Sequence, residues 1–147
     1  MKDFLINESK DYISSKLCSI YAIEINNYIK WYISFSASMI KIKEKHFSFL
    51  WKSIKDLEKV WFPIPAMLIW KLLIDKELRW KWYWWKLIDF ALSTAYELSK
   101  TIWIRFIIVD SNNNTIWFYE KYWFIPIETK EKTTTMVFDL KDFDELK

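Results

Sequence analysis

The sequence predicts a mixed α/β domain built around one sheet. Its 147 residues are 52% hydrophobic and 28% charged, a balance typical of a single globular domain with a sizeable core. Apolar runs rich in β-branched and aromatic residues alternate with segments whose apolar residues recur at helical spacing. Helices and strands in such an order pack as layers on a common sheet.

The first half of the chain predicts a hairpin between two helices, followed by a buried strand. Asn26 and Asn27 separate two strand-like runs and tolerate the positive φ of a hairpin turn. Pro63 and Pro65 end the second helix, and the apolar run after them suits a strand buried on both faces. The predicted elements are helices at residues 2–16 and 48–60, and strands at residues 17–25, 28–40 and 66–75.

The second half predicts two further helices and three strands. A helix over residues 84–100 has a continuous apolar face. The residues of that face are Leu87, Ile88, Ala91, Leu92, Ala95 and Leu98. The remaining predicted elements are a helix at residues 113–122 and strands at residues 104–109, 124–127 and 133–140.

The chain contains no glycine and eleven tryptophans, whereas about ten glycines are expected at the usual frequency. Trp61 and Trp123 follow predicted helices, where glycine commonly adopts the left-handed conformation. Trp103 lies between a helix and a strand, and Trp31 and Trp70 lie inside strands, where glycine would mark a bulge or a close backbone approach. We therefore hypothesise that tryptophan stands at glycine positions because UGA codons that mean glycine were translated as tryptophan. The alternative is a truly tryptophan-rich core.

Residues 79–85 contain the most informative motif. With glycine for tryptophan they read R-G-K-G-Y-G-G between a buried strand and a helix start. Such a turn can bind phosphate, because its backbone N–H groups approach the anion and the helix N-terminus adds partial positive charge. The spacing fits neither a Walker A loop nor a dinucleotide fingerprint.

This loop resembles the acetyl-CoA pyrophosphate loop of the GNAT family of N-acetyltransferases, with Arg79, Trp82 and Trp84 at the family's Arg, Gly and Gly positions. Asn112, Tyr119 and Trp123-Phe124 of this chain resemble a second signature of the same family. The match covers residues 17–140 and implies a central, mostly antiparallel sheet flanked by helices. Because the chain begins later than family members do, we expect one domain over residues 1–147 that lacks the first strand and helix.

A narrower resemblance links the chain to the acetyltransferase toxins of toxin–antitoxin systems. It rests on residues 63–75, 31–36 and 135–140. This resemblance implies a cytoplasmic enzyme that acetylates the amino group of an aminoacyl-tRNA, with a ribbon-helix-helix antitoxin as partner and a homodimer as a possible assembly. The alternatives are a housekeeping acetyltransferase for protein N-termini or small amines, and, with literal tryptophans, a basic aromatic surface for single-stranded nucleic acid or a membrane interface.

The family resemblance also assigns roles within the site. Tyr119 would be the general acid that protonates the departing CoA thiolate, and Asn112 would orient the CoA arm. The backbone of Leu73, Ile74 and Asp75 would pair with the pantetheine arm. The pyrophosphate would lie against the backbone and side chains of the loop, namely Arg79, Trp80, Lys81, Trp82, Tyr83, Trp84 and Trp85.

Ordinary structural roles remain open for several of these residues. Tyr119 could be a core residue, and Asn112 could serve only turn and N-cap chemistry. Glu120 is a possible general base or a solvated helix charge. Lys-rich residues 41–45 and Lys52 and Lys55 could contact tRNA phosphate or simply face solvent. The net charge of +3 suits an anionic cofactor or RNA without requiring either.

The single cysteine favours a reducing compartment, and the scarcity of cysteine and histidine argues against a metal site. Cys18 is the single cysteine and His46 the single histidine. One cysteine cannot form an internal disulfide, and one histidine in a lysine-rich loop reads as exposed and structural. No signal peptide is visible at the start of the sequence.

Overall fold

The computed structural model describes residues 7–41, 62–79 and 83–146. Three helices and six strands lie in these ranges, together with two 3-10 segments. The helices are α1 (Ser9–Ser14), α2 (Tyr83–Ser99) and α3 (Ile116–Glu120). The strands are β1 (Ser19–Ile25), β2 (Tyr28–Ile40), β3 (Ile64–Ile74), β4 (Phe106–Asn112), β5 (Ile125–Thr129) and β6 (Thr133–Asp139). The 3-10 segments are Lys76–Leu78 and Leu140–Leu146.

The six strands form one sheet in the order β1-β2-β3-β4-β6-β5. Every neighbouring pair is antiparallel except β3 and β4, which are parallel. Helix α2 connects this parallel pair, as a crossover must. The predicted mixed α/β domain with a mostly antiparallel sheet is confirmed.

The predicted hairpin and its turn are confirmed, and the structure gives the register. Asn26 and Asn27 have φ values of 53° and 60°, which a type I′ turn requires at both central residues. Ser19 at the start of β1 pairs with Phe35, and Ile25 at its end pairs with Tyr28.

The predicted boundary between β4 and the next helix differs from the structure. Strand β4 continues to Asn112, three residues beyond the prediction, because it stays paired with β6 as far as Thr133. The next helix is consequently shorter than predicted, since Asn112 to Thr115 form a turn before α3 begins at Ile116. The predicted helix at residues 48–60 lies outside the described residues.

The principal core lies between α2 and one face of the sheet. The predicted apolar face of α2 is buried from Leu87 to Ala95, but the prediction for Leu98 was wrong, because this side chain is 39% exposed near the end of the helix. Strand β4 alternates between the two faces. Ile107 and Val109 face the α2 side, while Phe106 and Ile108 belong to a smaller cluster on the other side.

An ion pair joins the beginning of β4 to the end of β6. Arg105 donates to both carboxylate oxygens of the buried Asp139, at 2.6 and 2.9 Å. Bidentate geometry of this kind fixes both the direction and the distance of the contact, so the pair ties the beginning of β4 to the end of β6. No helix among the described residues is long and apolar enough to span a membrane.

Candidate active site

Strands β3 and β4 diverge halfway along their length. They pair only from Ala66 with Phe106 to Ile69 with Val109, although β3 continues to Ile74 and β4 to Asn112. Beyond Ile69, β3 and β4 are no longer paired with each other. We call the resulting opening the fork, and an opening of this kind between two strands can admit an extended amide ligand.

A fixed turn follows β3 at the fork. The Asp75 carboxylate accepts from the Glu77 amide at 3.0 Å, and Arg79 Nε donates to the Ile74 carbonyl at 3.3 Å. From β2, Lys30 Nζ lies 3.2 Å from Glu77 Oε2 and 3.8 Å from Asp75 Oδ2, and the Glu77 hydrogen bond is the main cause that raises the pKa of Lys30. Lys30 is the extra residue of a β-bulge opposite β1, a feature that sequence spacing did not reveal.

A cavity of about 580 Å³ joins this turn to α3. It brings Arg79 and Trp84 from the loop motif together with Trp117 and Phe118, the latter next to Tyr119. The Trp84 ring meets the Phe118 ring edge to face at 5.6 Å, so an indole stands in the cavity wall where the family pattern has glycine. Trp80, Lys81 and Trp82 lie outside the described residues, while Tyr83 and Trp85 occupy the first turn of α2.

Tyr119 lies in the principal core at 7% exposure. Desolvation by burial raises the pKa of its hydroxyl to about 12. A phenol in that state keeps its proton at neutral pH, as a general acid must before the reaction. The neighbouring Glu120 is exposed at the end of α3.

Helix α3 ends in a Schellman motif whose left-handed residue is Trp123. The Phe124 amide donates to the Tyr119 carbonyl at 3.2 Å, and the Trp123 amide donates to the Glu120 carbonyl at 3.1 Å. Trp123 has φ 65°. Glycine is the usual residue here, because a side chain at positive φ is strained.

Other tryptophans also occupy unusual places for a large aromatic residue. Trp103, Trp117 and Trp123 are 91%, 57% and 69% exposed. Trp70 is the extra residue of a bulge in β3, since Ser34 pairs with Lys71 and Phe35 pairs with Ile69. The sequence had suggested a bulge or a close approach at this position.

Asn112 adopts turn geometry. Its side-chain oxygen accepts from the Asn114 amide at 3.0 Å and from Thr115 Oγ1 at 3.2 Å, which is the Asx-turn alternative left open by the sequence. His46, Lys52, Lys55 and the lysines after Lys41 in the 41–45 run lie outside the described residues. No cluster of three or more metal-ligating side chains occurs in the described part of the chain.

Comparison with solved structures finds the same fold in proteins of low sequence identity. No family model and no curated protein sequence matches it. AtaT complexed with acetyl-methionyl-tRNAfMet superposes with a TM-score of 0.81 at 20% identity, over 97% of this chain and 83% of AtaT. The chain has the GNAT-like fold of AtaT. A Tyr-to-Phe variant of KacT gives 0.79 at 18% identity, over 98% and 84%, and the AtaTR complex bound with AcCoA gives 0.76 at 20%, over 97% and 82%.

Proposed function

We propose that this protein is an acetyl-CoA-dependent N-acetyltransferase. The observation that carries the proposal is the fork, where β3 continues past its last pair with β4 toward the 75–79 turn and the cavity lined by Arg79, Trp84 and Phe118. An extended pantetheine arm would run along β3 beside Leu73, Ile74 and Asp75 in place of β4. Within that stretch the Asp75 amide donates to the Lys30 carbonyl and the Ile74 carbonyl accepts from Arg79 Nε. In this pose the pyrophosphate of acetyl-CoA would lie at the N-terminus of α2, where the helix dipole and Arg79 favour an anion.

The same arrangement supports direct transfer. A neutral amine attacks the thioester carbonyl, the C–S bond breaks, and the Tyr119 hydroxyl gives its proton to the leaving thiolate. Burial keeps the Tyr119 phenol protonated throughout the neutral range, although the same raised pKa makes it a weaker proton donor. No covalent enzyme intermediate is required.

We further propose that the acceptor is the amino group of an aminoacyl-tRNA and that the protein is a toxin paired with an antitoxin. Support comes from AtaT, which shares the fold over nearly the whole chain and has been seen with acetyl-methionyl-tRNAfMet, with AcCoA and with the antitoxin AtaR. Acetylation of a panel of charged tRNAs tests this acceptor. Transfer to protein N-termini or polyamines, with none to charged tRNA, would instead indicate a housekeeping enzyme.

We propose, finally, that the tryptophans are glycines in the native protein. Trp123 at positive φ, Trp70 at a bulge and Trp84 in the cavity wall all occupy positions that suit a residue without a side chain. Each indole brings about 150–250 Å² of surface, enough to narrow the site for the pyrophosphate. Intact mass and peptide mapping of residues 79–86 from the native source test this, since each recoded position lowers the mass by the Trp-to-Gly difference.

Calorimetric titration with acetyl-CoA tests the enzyme itself. The chain with glycine at all eleven tryptophan positions is expected to bind acetyl-CoA, and the chain with literal tryptophans is expected not to bind. If neither chain binds, the acetyltransferase proposal is wrong. If only the literal chain binds, the glycine proposal is wrong while the enzyme proposal stands.

A further inference from the structure

The fork presents a second chemically active side chain, on the face of the sheet away from Tyr119. Asp110 is the first residue of β4 beyond its last pair with β3, and its side chain is exposed. The alternation of β4 decides its direction. Val109 belongs to the core that contains Tyr119, and Phe106 and Ile108 to the opposite cluster, so Asp110 continues the opposite face.

A neighbouring strand holds this carboxylate in place. Asp110 pairs with Thr135 on β6, and Thr135 Oγ1 donates to Asp110 Oδ1 at 2.5 Å. One carboxylate oxygen is therefore oriented by Thr135 of β6, the strand that flanks β4 on the side away from the fork. Charged residues from neighbouring elements on this face include Lys71 of β3, whose Nζ lies 3.9 Å from Glu8 Oε2, and Asp139 of β6, which accepts from Arg105.

We infer that Asp110 is the catalytic base that accepts the proton of the attacking amine. The inference rests on the proposed acetyl transfer. A thioester seated in the fork has Tyr119 on one side of the sheet and Asp110 on the other. The amine can then approach from the Asp110 side while the thiolate leaves toward Tyr119, which separates the proton acceptor from the proton donor.

The step balances with these two groups alone. The N–C bond forms and the C–S bond breaks, the amine nitrogen loses one proton to the Asp110 carboxylate, and the thiolate gains one from the Tyr119 hydroxyl. Both side chains then exchange a proton with solvent, which restores the starting state. Because the nitrogen becomes cationic as it attacks, its proton becomes acidic enough for a carboxylate to accept.

The test uses the chain with glycine at the tryptophan positions, with acetyl-CoA and charged tRNA as substrates. Asp110→Asn is expected to lower kcat about 100-fold, the lower end of the usual contribution of a general base, while the Kd for acetyl-CoA is unchanged. Asp110→Ala is expected to regain part of its activity when formate is added, whereas chloride at the same ionic strength has no effect. Asp89→Asn, an exposed change on α2, is the matched control and should keep full activity.

Several results would overturn the inference. Asp110→Asn at the parent rate would show that no base acts from this position. Loss of acetyl-CoA binding in Asp110→Asn, or a loss in Asp110→Ala that formate cannot rescue, would assign the residue a structural role. A parent chain that binds acetyl-CoA but acetylates no amine would instead remove the proposed function, and the base assignment with it.

Discussion

Tyr119 and Phe124 are joined by backbone and by side chain across the end of α3. The Phe124 amide donates to the Tyr119 carbonyl at 3.2 Å, and the two rings meet edge to face with centroids 5.6 Å apart. This is the hydrophobic contact that accompanies a Schellman motif. The proposed general acid is therefore positioned by the helix end, and the helix end depends on the left-handed residue Trp123.

Replacing Trp123 with glycine should stabilise the protein. A side chain in the left-handed region costs about 1–2 kcal/mol, and glycine removes that cost. We expect an increase of about 1 kcal/mol in the free energy of unfolding, or a Tm rise of about 2–4 °C for a chain of this size. Urea and thermal unfolding measure both.

Trp123→Ala is the matched control for that prediction. Alanine removes the indole but keeps Cβ, so the conformational cost at φ 65° remains. Equal stabilisation by alanine and glycine would show that loss of the exposed indole, rather than backbone strain, explains the gain.

Tyr119→Phe should separate catalysis from binding. Phenylalanine keeps the ring contacts with Phe118 and Phe124 but cannot donate a proton. We expect kcat to fall about 100-fold with an unchanged Kd for acetyl-CoA, measured by steady-state kinetics and calorimetry on the glycine-restored chain. A wild-type kcat in this variant would remove Tyr119 from the mechanism.

The buried phenol should also make stability depend on alkaline pH. The pKa of Tyr119 is raised from about 10 in the unfolded chain to about 12 in the folded protein, so folding favours the protonated form. This contribution is fully present below pH 10 and is lost as the pH rises through 12. Burial also raises the pKa of Tyr32 and Tyr122, so the wild-type protein should be compared with Tyr119→Phe.

The difference in unfolding free energy between the two proteins should be constant up to about pH 10 and should then shift in favour of Tyr119→Phe. Chemical denaturation at several pH values between 8 and about 12 measures this shift. Parallel curves over the whole range would contradict a buried, titrating Tyr119.

Arg79→Lys should weaken acetyl-CoA binding about tenfold, equivalent to about 1.4 kcal/mol. Arg79 Nε is already bound to the Ile74 carbonyl at 3.3 Å, which leaves the terminal guanidinium nitrogens for a phosphate. Lysine keeps the charge but cannot make both contacts at once. Lys100→Arg, an exposed and charge-conserving change near the far end of α2, should leave affinity unchanged. An Arg79→Lys variant with the parent affinity would show that a positive charge is enough at this position and that the guanidinium geometry is not needed.

The sequence by itself predicted most of the described helices and strands and the order of the motifs, but not the end of β4 or the start of α3. The Asn26-Asn27 turn, the apolar face of α2 and the strand pattern of β2 are local features, since periodicity and backbone preference act within a few residues. The absence of glycine could also be recognised from the sequence, because a helix end such as the one at Trp123 commonly requires a residue with positive φ.

Only the tertiary structure decided how distant residues meet. The fork depends on where β3 and β4 stop pairing. The placement of Asp110 and Tyr119 on opposite faces depends on the alternation of β4 within a packed sheet. The Lys30 contact with Glu77 joins residues that are 47 positions apart in the chain. Such relationships arise from strand register and layer packing, which no local pattern encodes. The physical reason is that hydrogen bonding and burial act across the folded sheet, between residues that the sequence keeps far apart.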